Sequence, residues 1–168
     1  DTLGGVFHHD INAIGVDYRT PAATGGETTA RCLIFVTPDA QRTMQTYLGI
    51  SITLGPDDID ETAIKESQIT YLEGYLFDPP EAKQAFVKAA EIAHAAGRKV
   101  ALTLSDPFCV DRHRAEFMHL ISGHVDIVFA NEDETKSLFE VDDFDAALQQ
   151  MRGHCEIAAM TRSEKGSV

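Results

Sequence analysis

Asn131 and Glu134 stand three residues apart where an apolar run, Val125-Asp126-Ile127-Val128-Phe129-Ala130, gives way to a polar segment. In an open parallel sheet the carboxyl end of a strand is where ligands bind. An amide and a carboxylate at that spacing can hold a hydrated Mg²⁺ and, through it, nucleotide phosphates. The same spacing also makes a capping box, with Asn131 capping the helix and Glu134 reaching back to it. The two residues alone leave both readings open.

A second candidate follows the last apolar run, Cys155-Glu156-Ile157-Ala158-Ala159-Met160. Thr161-Arg162-Ser163-Glu164-Lys165-Gly166 offers a hydroxyl, a tight turn and a glycine, which suit close backbone approach to a phosphate or a purine. An ordinary β-hairpin turn reads equally well. Other chemistry-bearing residues carry less. Gly4-Gly5 and Gly25-Gly26 are not phosphate loops, because no Gly-Lys-Ser/Thr follows. Asp111, His113, His119 and His124 lack a metal-ligand spacing. His8-His9 reads as helix surface, and Cys109 as a small buried hydrophobe. Asp57-Asp58-x-Asp60-Glu61 reads as a solvated helix start, since the glycine of a calcium loop is missing.

The elements that position these residues differ along the chain. Thr29–Val36 and Gln41–Leu48 read as strands joined at Thr37-Pro38-Asp39-Ala40, an antiparallel hairpin with one face exposed. A helix is expected from Asp1 to Ile14. From Asp57 onward the pattern is β–α–β–α. Strands are expected at Ile69–Glu73, Val100–Leu104, Val125–Ala130 and Cys155–Met160. Asp78-Pro79-Pro80-Glu81 starts a helix with Asp78 as its cap. Phe86, Ala89, Ala90, Ala93 and Ala96 form that helix's apolar stripe, and Gly97 ends it. Further helices are expected over Arg114–Ile121, from Asn131, and over Phe144–Met151. This spacing implies right-handed βαβ crossovers and a mainly parallel sheet.

Composition excludes several classes. With 168 residues the chain is long enough for a real core, and 43 % hydrophobic against 24 % charged residues places it among globular proteins. A net charge of −13 argues against a nucleic-acid backbone as partner. No apolar run is long enough to span a bilayer. Three scattered cysteines without a C-x-x-C suggest neither a zinc knuckle nor a disulfide framework, and a reducing cytoplasm fits best.

Taken in order, Asp1-x-x-Gly4, Asp39-x-x-Arg42-Thr43, Leu72-Glu73-Gly74-Tyr75, Leu104-Ser105-Asp106-Pro107-Phe108, Asn131-x-x-Glu134 and Thr161-Arg162-x-x-x-Gly166 resemble the ribokinase-like, or PfkB, kinases. The Leu-Glu-Gly-Tyr and Leu-Ser-Asp-Pro-Phe stretches are most similar to the adenosine-kinase-like branch. The resemblance implies a Rossmann-type three-layer α/β sandwich with a mainly parallel sheet plus a small β-lid. The lid corresponds roughly to residues 17–52 and the α/β core to 1–16 and 57–168. It implies transfer of the ATP γ-phosphate to a hydroxymethyl group of a nucleoside or sugar, with ATP and Mg²⁺ as cofactors.

Residue roles follow from the same resemblance. Asn131 and Glu134 match the N-x-x-E motif, with Glu134, and Asn131 through water, on the metal. Thr161, Ser163 and Gly166 match the nucleotide-bordering segment, where Ser163 replaces a glycine. Arg42 near the lid tip and Tyr75 are candidates for contact with the acceptor. A homodimer is compatible with the family; a membrane partner is not expected. The family's general-base Asp lies in a G-A-G-D segment that does not occur here and is expected beyond Val168. On that reading the chain corresponds to the central half of a member. A sugar kinase, or a nucleotide-binding module without chemistry, are the alternatives.

Overall fold

The structure, a computed structural model, describes residues 1–168. They form two compact units, Asp1–Leu54 and Gly55–Val168.

The first unit contains α1 (Thr2–Ala13) and an antiparallel ribbon of β1 (Arg31–Val36) and β2 (Arg42–Tyr47). The Asp1 carboxylate caps α1 by accepting from the Gly4 N–H at 2.8 Å. It also accepts from the Thr29 N–H and hydroxyl at 2.8 and 2.9 Å, which anchors the segment entering β1 to the helix start. The ribbon runs in register from Arg31 opposite Tyr47 to Val36 opposite Arg42. Both of its faces carry exposed apolar side chains: Leu33, Phe35 and Tyr47 on one, Ile34, Val36 and Met44 on the other.

The second unit holds α2 (Glu61–Glu66), β3 (Ile69–Glu73), α3 (Pro80–Ala95), β4 (Lys99–Thr103), α4 (Pro107–His124), β5 (Ile127–Asn131), α5 (Glu132–Phe139), α6 (Phe144–Met151) and β6 (Ile157–Thr161). The sheet order is β3-β4-β5-β6, all parallel, so each crossover lands on the next strand in sequence. Crossovers of one hand place their helices on one face of such a sheet. There Leu72, Val100, Leu102, Val128 and Met160 are buried with Phe86, Phe117, Leu120, Ile121 and Leu138. Ile69, Tyr71, Phe129 and Ile157, on the opposite face, remain exposed. No helix is long and apolar enough to cross a membrane.

Two local expectations change. Asp78 does not cap α3. Pro79 holds the cap position without a side-chain bond, while the Asp78 carboxylate is taken by Arg112 at 3.0–3.2 Å and by His113 at 2.7 Å. An ion pair satisfies that carboxylate better than a lone backbone N–H. Helix α4 also starts seven residues before the expected Arg114. Asp106 caps it by accepting from the Phe108 and Cys109 N–H groups at 2.7 and 3.2 Å, with Pro107 in the first turn. A non-helical His113 (φ −128°, ψ 26°) separates this first segment from the periodic one. That break hid it from a reading based on helical period.

Candidate functional site

The carboxyl ends of the four parallel strands bring most of the candidate residues to one edge of the second unit. Asn131 ends β5 and caps α5. Its side-chain oxygen accepts from the Glu134 N–H at 2.8 Å. In return, the Asn131 N–H donates to Glu134 Oε2 at 2.9 Å and the Asn131 amide Nδ2 donates to Oε1 at 2.7 Å. The capping box is therefore complete, and it also fixes both carboxylate oxygens. Glu134 is only 4 % exposed. Burial pushes its carboxyl above the usual range, the Asn131 N–H opposes this, and the charges of Asp106 and Glu73 add to the rise.

Thr161 pairs with Asn131 at the ends of β6 and β5. The chain then turns through Ser163–Lys165 and returns antiparallel. Thr161 bridges Ser167, and Met160 and Val168 exchange two hydrogen bonds of 2.9 Å. The hairpin expectation for this segment is thus met in its backbone, and the turn still abuts the Asn131 box. Ser163 takes φ 52° and Gly166 φ 85°, both left-handed. Ser163 thus holds a backbone conformation that favours glycine. Nothing lies within 4 Å of where a Cβ on Gly166 would point, so its outer side is open.

Tyr75 follows β3 in a short 3₁₀ turn and is 60 % exposed. Burial of its hydroxyl end, then the charges of Asp106, Glu134 and Glu73, raise its pKa. Asp106, Glu134 and Glu73 thus make the surroundings of Tyr75 negative. Arg42 lies in the first unit, as the exposed first residue of β2 opposite Val36.

Glu73, Ser105 and Asp106 received no role from the sequence. Ser105 sits just past β4 at φ 69°, and its hydroxyl donates to the Glu73 carboxylate. A non-glycine residue held left-handed at a strand's carboxyl end is a recurrent mark of a functional edge. The available signal was Ser-Asp-Pro directly after an apolar strand. Gly74 permits this geometry, since a Cβ there would lie 2.5 Å from the Thr103 carbonyl oxygen and 2.8 Å from that of Leu104.

The donor chemistry defines what this edge can hold. No group of three or more His, Cys, Asp or Glu side chains converges to ligate a metal directly. An oxygen-rich edge with one buried, hydrogen-bonded carboxylate suits instead a hard cation retaining its water, as Mg²⁺ does. The open glycine turn beside it suits the flat or phosphorylated part of a nucleotide. The residues present fit MgATP in that indirect form.

Comparison with known proteins agrees with the fold. The model of the pfkB family of carbohydrate kinases matches residues 1–168. Adenosine kinase from Sinorhizobium meliloti superposes with a TM-score of 0.95 at 53 % identity, over 100 % of this chain and 52 % of its own. A protein of Rhizobium etli CFN 42 designated a probable sugar kinase gives 0.95 at 51 %, over 100 % and 51 %. A structure from E. coli in complex with ATP and Mg²⁺ gives 0.84 at 20 %, over 99 % and 55 %, an identity that speaks for the fold alone. The chain thus spans about half the length of these solved structures. No curated protein matches. With the N-x-x-E box at the end of β5, the parallel sheet and the separate ribbon all in place, the chain belongs to the pfkB family of carbohydrate kinases.

Proposed function

We propose that the protein carrying this chain is an ATP-dependent phosphotransferase acting on a hydroxymethyl group, and that its acceptor is an adenosine-like nucleoside. The observation that carries the kinase reading is the pairing of Asn131 with Thr161, which sets the carboxylate box beside the open glycine turn. MgATP, when bound, supplies the phosphoryl group to be transferred. This chain's residues then act by orientation and charge. Asn131 holds the Glu134 carboxylate in one place, and Glu134 with Glu73 and Asp106 provides negative charge toward a hydrated cation. The Thr161–Gly166 turn provides a surface for the nucleotide. Fixed groups of this kind suit phosphoryl transfer, which relies on positioning and charge stabilisation.

The nucleoside reading rests on the resemblance of Leu72–Tyr75 and Leu104–Phe108 to the adenosine-kinase-like branch and on the Sinorhizobium meliloti neighbour. Exposed apolar side chains such as Leu33 and Phe35 could cover a purine, where stacking contributes roughly 1–3 kcal/mol per base. The Rhizobium etli neighbour favours a sugar instead. An ATP-consumption panel over adenosine, inosine, ribose, fructose and phosphorylated fructose separates the two. Adenosine is expected to give the highest kcat/KM. A free sugar ahead by about tenfold, or about 1.4 kcal/mol, overturns the nucleoside assignment. Absence of ATP consumption with every acceptor overturns the kinase reading.

A further inference from the structure

Arg162 lies among three elements and joins them. It follows Thr161, the strand partner of Asn131. Its Nε donates to Glu132 Oε2 at 3.1 Å, and Glu132 is the first residue of α5, next to Asn131. Its guanidinium lies over the ring of Phe144, 4.3 Å from the centroid, and Phe144 opens α6 and is only 4 % exposed. The Arg162 backbone also closes the turn: its N–H donates to the Gly166 carbonyl at 2.8 Å and its carbonyl accepts from Lys165 at 2.9 Å. Lys136 lies 3.7 Å from the same Glu132 carboxylate and faces it from within α5.

We propose that Arg162 is a positioning residue that fixes the Thr161–Gly166 turn relative to the Asn131–Glu134 box, so that one nucleotide meets both. This rests on the nucleotide reading above. The turn contains two left-handed residues and, apart from Arg162, is held by main-chain bonds to its own return segment. A ligand spanning two segments binds more tightly when their separation is set beforehand, because less ordering is lost on binding. Arginine suits the task, since its flat guanidinium can lie over Phe144 and still donate edgewise to Glu132, whereas the compact ammonium of lysine serves the ring and the carboxylate together less well.

The test measures the Kd of ADP with Mg²⁺ by calorimetry, without acceptor, in the protein carrying this chain, alongside the melting temperature. Arg162→Gln is expected to weaken ADP by about tenfold, the scale of a half-buried cation–π contact with an ion pair. The fold should persist. Glu132→Gln should weaken ADP less, and the double variant should be no worse than Arg162→Gln, because both act through one contact. Arg162→Lys, which keeps the charge, should fall between wild type and Arg162→Gln and serves if the latter does not fold. ADP affinity within about twofold of wild type in the Arg162 variants, while Asn131→Ala weakens it, overturns the positioning role and leaves the nucleotide site standing. If Asn131→Ala also leaves ADP affinity unchanged, the nucleotide reading falls and takes this inference with it.

Discussion

Both carboxylate oxygens of Glu134 are held by Asn131, one by its backbone N–H and one by its side-chain amide. The pair is thus a helix cap and an oriented acid at once. A carboxylate oxygen that accepts one hydrogen bond keeps a second lone-pair direction, which the metal-bound water of the proposed site would need.

Asn131→Ala and Glu134→Ala are expected to lower turnover and raise the Mg²⁺ requirement of the protein carrying this chain. The loss should be roughly 2–4 kcal/mol of transition-state stabilisation, the range of other lost electrostatic contacts. Asn131→Asp, which keeps a capping oxygen but places a second carboxylate against Glu134, should preserve helix α5 and still impair Mg²⁺ response. Steady-state kinetics against Mg²⁺ concentration, with circular dichroism as control, checks this. Full activity at low Mg²⁺ in both alanine variants would reduce the pair to a cap.

Ser163→Gly should raise stability, because Ser163 is left-handed at φ 52° and relief of roughly 1–2 kcal/mol of strain outweighs the greater unfolded-state entropy of glycine. Ser163→Val should lower it, as a β-branched side chain is least tolerant there. Urea unfolding at constant m decides; a neutral or destabilising glycine would mean that the turn takes another conformation in solution.

Gly74→Ala should be severe. The added methyl would meet the Thr103 and Leu104 carbonyl oxygens, backbone atoms that cannot rotate away. Separating β3 from the β4 exit should cost roughly 1–3 kcal/mol, read as a drop in melting temperature. An unchanged melting temperature would exclude the close approach.

Asp78 provides a pH prediction. The hydrogen bond from His113, and then the Arg112 guanidinium, hold its carboxyl below the usual aspartate range. A folded-state value below the unfolded one, about 3.9, gives stability that is present above that pH and lost as pH falls through the folded value. Asp78→Asn should flatten the acid limb of the stability curve below about pH 4. Because Asp78 is half exposed, solvent screens the effect and it should be small. A variant as acid-sensitive as wild type would assign the acid limb to other carboxylates.

The parallel sheet was legible because β4 and β5 are short apolar runs bounded by turn residues, with helical stripes such as Phe86-Ala89-Ala90-Ala93 between strands. The Asn131–Glu134 capping box was legible because the three-residue spacing at a strand exit is the spacing such a box requires. Asp78 was misread because its partners, Arg112 and His113, are more than thirty residues away in sequence. Glu73 and Ser105 escaped for the same reason: each looks ordinary until β3 and β4 pair and put the hydroxyl on the carboxylate. Arg162 needed α5 and α6 in place before its two contacts existed.

The chain-order sheet has a consequence in time. Each strand pairs with the one before it in sequence, so the sheet can grow one βα unit at a step, without waiting for distant segments to meet. Loop closure over such modest separations is fast compared with pairing across a whole domain. In this order the Asn131–Thr161 pairing forms when β6 joins β5. Addition of strands in chain order predicts amide protection at Val100–Leu102 before Ala158–Met160 during refolding, whereas simultaneous protection would mean that the sheet closes as one unit.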